Sequence, residues 1–126
     1  MFKNTKAYSG FSVNNLDAAK KFYGETLGLD VTEDQMGLAI HLASGAVIFV
    51  YPKQNHTPAT YTILNFPVDD INKAVADLKA KGITFEQYEG LTDKDNIARG
   101  LAANQGPDIA WFTDPAGNIL SVLKEA

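Results

Sequence analysis

The chain has 126 residues, 45% of them hydrophobic, a length and composition that suit one domain with its own core. A formal charge of −4, with eleven scattered cations, offers no basic stripe to neutralise a phosphate backbone, so nucleic acid is not an expected partner. Cysteine is absent, which excludes disulfides, thiolate metal sites and a cysteine nucleophile, and no run of about eighteen apolar residues suggests a membrane span. The expected location is cytoplasmic.

In chain order, the stretch FSVNNLDAA (residues 11–19) reads as an apolar strand that ends at Asn15, a side chain suited to accept from the free N–H groups of a helix's first turn. The helix carries Leu16, Ala19, Phe22 and Tyr23 at spacings of three and four and stops at Gly28. Strands are predicted at roughly 29–33, 37–43 and 46–51, followed by the polar, proline-containing connector PKQNHTPAT (52–60).

The pattern then repeats. FPVDDINKA (66–74) aligns with 11–19 at a constant offset, matching Phe66 to Phe11, Val68 to Val13, Asp70 to Asn15, Ile71 to Leu16 and Ala74 to Ala19. A second helix carries Ile71, Ala74, Val75 and Leu78 and stops at Gly82, and strands are expected at 83–88, 108–113 and 118–123. Each half is therefore strand, helix, three strands, with module one at about 1–52, a linker at 53–60 and module two at about 61–126. The polar stretch 89–107 has no counterpart in the first half and reads as a lid or a loose loop, with Asp93, Lys94 and Asp95 forming a solvated turn. In the final hairpin, DPAGN (114–118) supplies Pro115, Gly117 and Asn118 for a tight reversal, and a turn centred on Ala116 pairs Trp111 with Ser121 and Thr113 with Ile119.

The repeated βαβββ unit, opening on VNNLDAAKKFYGETLGL and closing on DPAGN, resembles the vicinal oxygen chelate superfamily, which includes glyoxalase I, extradiol dioxygenases, fosfomycin resistance enzymes and bleomycin resistance proteins. The resemblance spans nearly the whole chain. It implies an α+β fold in which two βαβββ modules pair their curved mixed sheets into a cup. In metal-using members a divalent ion is held by one residue from the first and one from the last strand of each module. Carried over by motif, those positions are Tyr8, Phe49, Ile63 and Ser121. None is a histidine or a carboxylate, and a phenol and a neutral hydroxyl are poor ligands for such an ion, so no metal and no cofactor are expected.

Strand alternation gives the side chains that accompany those four. The expected lining is Tyr8, His41, Phe49, Tyr51, Ile63, Asn65, Trp111 and Ser121, with Arg99, the only arginine, on the long loop and able to swing in toward an anionic ligand. Such a wall suits a flat, apolar ligand, and it equally suits aromatics that merely fill a core or an interface. His41 has no second histidine or carboxylate on its face, His56 reads as solvated, and Glu86 either edges the cup or faces water. The leading expectation is a metal-independent protein that binds a partly aromatic small molecule in the manner of the bleomycin resistance branch, with no catalytic residue assigned. The alternatives are a metal-dependent lyase, isomerase or dioxygenase of the glyoxalase type, and a metal-independent enzyme using Tyr8 or His41. A homodimer is expected, because an aromatic sheet face left open is a large exposed patch.

Overall fold

The computed structural model describes all 126 residues. They form two four-stranded mixed sheets, each with one helical segment, divided into a unit from Met1 to Pro58 and a unit from Ala59 to Ala126. Each unit has the order strand, helix, three strands, and each sheet places its first strand parallel to its last.

In the first unit, β1 (Ser9–Val13) leads into α1 (Leu16–Lys21), and the sheet is completed by β2 (Asp30–Glu33), β3 (Leu38–His41) and β4 (Val47–Pro52) in the spatial order β1-β4-β3-β2. Asn15 caps α1 by accepting from the Ala18 N–H at 3.0 Å. Beyond Lys21 the helix widens into a π-helical turn, Phe22–Thr26, where Leu27 N–H reaches back to Phe22 C=O at 2.9 Å. That widening carries the chain to Gly28, whose φ of +71° ends the helix. The core lies between the helix and one sheet face: Val13, Ala19, Tyr23, Leu38, Ile40 and Val50 are all buried. The Tyr23 ring packs 5.7 Å from Phe11 and edge-on to Phe22.

The second unit repeats the plan with β5 (Thr62–Pro67), α2 (Ile71–Ala80), β6 (Ala98–Arg99), β7 (Asp108–Thr113) and β8 (Ile119–Lys124), in the order β5-β8-β7-β6. Asp70 caps α2 from the equivalent position, accepting from Lys73 N–H at 3.1 Å. Ile71, Val75, Phe85, Ala110, Phe112, Leu120 and Val122 form its core.

Three expectations are corrected. The strand expected at 83–88 does not form: Phe85 makes a single bridge to Phe112, Glu86 N–H bonds Trp111 C=O at 2.8 Å, and the edge strand is instead Ala98–Arg99, paired to Asp108–Ile109. Two short pieces thus share the edge that one strand occupies in the first unit. The stretch 89–107 is no loose loop, since it contains β6 and buries Ile97 and Ala98. In the final turn only Gly117 has positive φ, at +85°, whereas Asn118 is buried and its amide donates to Asp114 at 3.0 Å. Asp114 is the hub of that turn, accepting as well from Ala116 and Asn118 N–H groups at 2.9 Å each.

Candidate functional site

On the first sheet, the face away from the helix carries Tyr8, Phe49, Ala39 and His41 together with Tyr51, as the pairing of Gly10 with Phe49 and of Phe49 with Ala39 requires. Phe49 and Tyr51 stack at 5.6 Å with their planes 19° apart. Gly10 leaves room for this, because a Cβ there would sit 3.0 Å from the Phe49 carbonyl oxygen. Tyr8 is 72% exposed. A cavity of about 640 Å³ opens on this face, lined by Tyr8, Met36, Ala39, Val47 and Phe49 with Lys6 and Asp34 at its rim. His41 is held by a contact of 2.9 Å between its Nε2 and Thr32 Oγ1, and His56, expected to be solvated, instead lies 2.6 Å through Nδ1 from Ser12 Oγ on β1.

On the second sheet, Asn65 on β5, Ser121 on β8 and Trp111 on β7 stand in one row. Ser121 is fully buried, and its hydroxyl donates to Asn65 Oδ1 at 2.5 Å. A one-residue irregularity in β5 between Thr62 and Leu64 brings Thr62 opposite Ile119, so Thr62 joins this face and its hydroxyl accepts from the Trp111 indole N–H at 3.1 Å. The indole therefore reaches from β7 across β8 to β5. Ile63 falls within the irregularity, half-buried and without a register partner. Thr62 was missed from the sequence, since strict alternation gives it to the opposite face and no glycine or proline marks the bulge.

Tyr88 packs edge-on against Trp111 at 5.4 Å. Burial and the neighbouring Glu86 charge push its phenol above its usual range, keeping the hydroxyl protonated. Beside Trp111 lies a cavity of about 660 Å³ lined by Leu91, Ala98, Ile109 and Pro107, with Asp93 and Arg99 at its polar end. Arg99 is not a free loop cation. Its Nε donates to Asp93 at 2.9 Å and its Nη2 to Asn72 on α2 at 2.8 Å. Asp93, expected in a solvated turn, also accepts from the N–H groups of Asp95 and Ile97. Partial burial raises its pKa, but the Arg99 hydrogen bond, those two backbone donors and the Arg99 charge outweigh it and hold the carboxyl below its ordinary value.

The four positions that would hold a divalent ion do not fit one. Ser121 is buried with its hydroxyl committed to Asn65, Tyr8 presents a phenol to solvent, and Phe49 and Ile63 have no donor atom. Nowhere in the molecule do three histidine, aspartate or glutamate side chains converge as a metal set would.

Residues 7–122 match the family model of the glyoxalase/bleomycin resistance protein/dioxygenase superfamily. The chain belongs to that superfamily. No curated protein sequence matches it. Among solved structures it is similar to a glyoxalase family protein from Enterococcus faecalis, at 23% identity over 98% of this chain and 99% of the other, with a TM-score of 0.68. It is similar also to a fosfomycin resistance protein from Listeria monocytogenes, at 11% identity, 95% and 92% coverage and a TM-score of 0.69. A third is TnmS3, an antibiotic binding protein from Streptomyces sp. CB03234, at 20% identity, 98% coverage of both chains and a TM-score of 0.64. These likenesses establish the fold and leave the chemistry to the site. No helix is long and apolar enough to cross a membrane.

Proposed function

We propose that this protein binds a flat, partly aromatic small molecule without a metal, on the open face of its second sheet. The observation that carries the reading is Trp111, which lines a cavity of about 660 Å³ and stands in one row with Ser121 and Asn65, at a place where the fold family's chelating carboxylate is replaced by a buried serine. Trp111 supplies the stacking surface, Thr62 on β5 holds its indole N–H, and the segment bearing Arg99 lines the cavity beside it. The antibiotic-binding and fosfomycin-resistance neighbours share the fold and lend the reading an analogy. Sequestration requires only shape and stacking complementarity, and no side chain here is poised as a nucleophile.

The aromatic face of the first unit, with Tyr8, His41, Phe49 and Tyr51, has a different role in this reading. Tyr8 and Met36 are each more than two-thirds exposed beside Ala39 and Phe49, and a second copy of the chain is the occupant proposed, giving a homodimer. Light scattering of the wild type and of Tyr8→Glu checks this, with the variant expected to be monomeric.

A thermal-shift panel of aromatic metabolites and antibiotics tests the binding function, with fluorescence of Trp111, the only tryptophan, as second readout. A compound that raises the melting temperature and quenches the indole supports the reading. A broad panel with neither effect overturns it.

A further inference from the structure

The Ser121–Asn65 pair has a directional consequence. Ser121 Oγ donates to Asn65 Oδ1, so the carbonyl end of the Asn65 amide is occupied and its NH2 end is turned outward from an exposed residue, with no partner in the chain. The Trp111 indole N–H is committed to Thr62, three positions earlier on the strand that carries Asn65. Within this row, then, the indole offers only its π surface, the serine hydroxyl is buried and spent, and the uncommitted polar atom is a donor.

Building on the binding function above, we propose that Asn65 is the specificity-determining residue and selects planar aromatic ligands that carry a ring carbonyl. The ring lies against Trp111 and the carbonyl oxygen accepts from Asn65 Nδ2. Ser121 is a positioning residue: its buried hydroxyl fixes which end of the amide faces the ligand. A ligand group at the same place that must donate meets two N–H groups and leaves its own hydrogen unpaired; a hydroxyl still accepts through its oxygen but loses the bond its O–H made to water.

Three compounds of similar size separate the possibilities: chromone with a ring carbonyl, naphthalene with no polar group, and 2-naphthol with a donor, each titrated against Trp111 fluorescence. Wild type is expected to prefer chromone over naphthalene by about fivefold, the worth of one ordinary hydrogen bond. Asn65→Asp keeps an oxygen for Ser121 and replaces the outward NH2 with an acceptor, so it is expected to lose the chromone preference and to favour 2-naphthol. Asn65→Ala, at an exposed position, is expected to lose the preference without the reversal. Ser121→Ala is expected to shrink the chromone-to-naphthalene ratio, because the amide is then free to turn either end outward. An unchanged order of the three compounds in Asn65→Asp and Asn65→Ala overturns the specificity assignment and leaves the binding function standing. An unchanged ratio in Ser121→Ala overturns the positioning role alone. If wild type binds none of the three while other aromatics bind, the carbonyl selection is wrong; if no aromatic compound binds at all, the binding function fails with it.

Discussion

The first sheet ends in β2, four residues paired along their whole length with β3, whereas the second ends in the two residues of β6 and the single bridge from Phe85 to Phe112. The material gained between those two pieces is the stretch around Asp93, and it walls one end of the cavity beside Trp111. The open faces differ in the same sense. On the first, Phe49 and Tyr51 stack on each other and Tyr8 stands in solvent. On the second, two polar links, Trp111 to Thr62 and Ser121 to Asn65, tie three strands across the face. The same plan occurs twice, and the second copy differs by a shortened edge strand and by hydroxyls and amides that link its strands across the open face.

The comparison can be broken first at its foundations. Phe112 is fully buried and packs 5.4 Å from Phe85, so Phe112→Ala is expected to cost about 3–5 kcal/mol by urea unfolding. Because Phe112 also anchors the bridge that replaces a full edge strand, amide exchange should quicken around residues 85–86. Ile40→Ala in the first sheet is expected to cost about 2–5 kcal/mol without that local signature.

Function should separate the faces more sharply. Trp111→Leu is expected to weaken the best aromatic ligand more than tenfold in a thermal-shift titration, while Phe49→Leu stays within about twofold, since only the former removes the stacking surface of the proposed site. Equal losses from both would mean that the two faces are not functionally distinct.

The helix caps should behave as equivalents. Asn15→Ala and Asp70→Ala each remove one acceptor from a helix's first turn, and each is expected to cost about 0.5–2 kcal/mol. A large difference between them would show that the two copies lean unequally on their helices.

The finest distinction concerns pH. The Asp93 carboxyl is held below its ordinary value of 3.8, so the stability it contributes is present above that pH and is lost as pH falls through its lowered value in the fold. The wild type is therefore expected to exceed Asp93→Asn in urea midpoint at about pH 6, with the gap narrowing as the pH is taken below 3.8. A gap that persists at low pH would contradict this assignment.

Much of this was legible in the sequence because it rests on local chemistry. The offset repeat marked both helices; Asn15 and Asp70 announced their starts, and the turn at 114–118 set the register that pairs Trp111 with Ser121. What could not be read depends on distant partners. The irregularity at Thr62 is a matter of register between β5 and β8 and leaves no mark in residue type. The ordering of 89–107 needs Asp93 to meet Arg99 and Arg99 to meet Asn72, twenty-seven positions away on α2. A polar stretch whose polar groups satisfy one another looks, residue by residue, the same as one that solvates them.

The central claim is that the second face binds its ligand without a metal. Calorimetric titration of the best aromatic ligand into chelator-treated protein, and into the same protein after one equivalent of zinc or manganese is restored, addresses it directly. The account predicts the same affinity, within about twofold, in both samples. Binding that vanishes on chelation and returns with stoichiometric metal would contradict it.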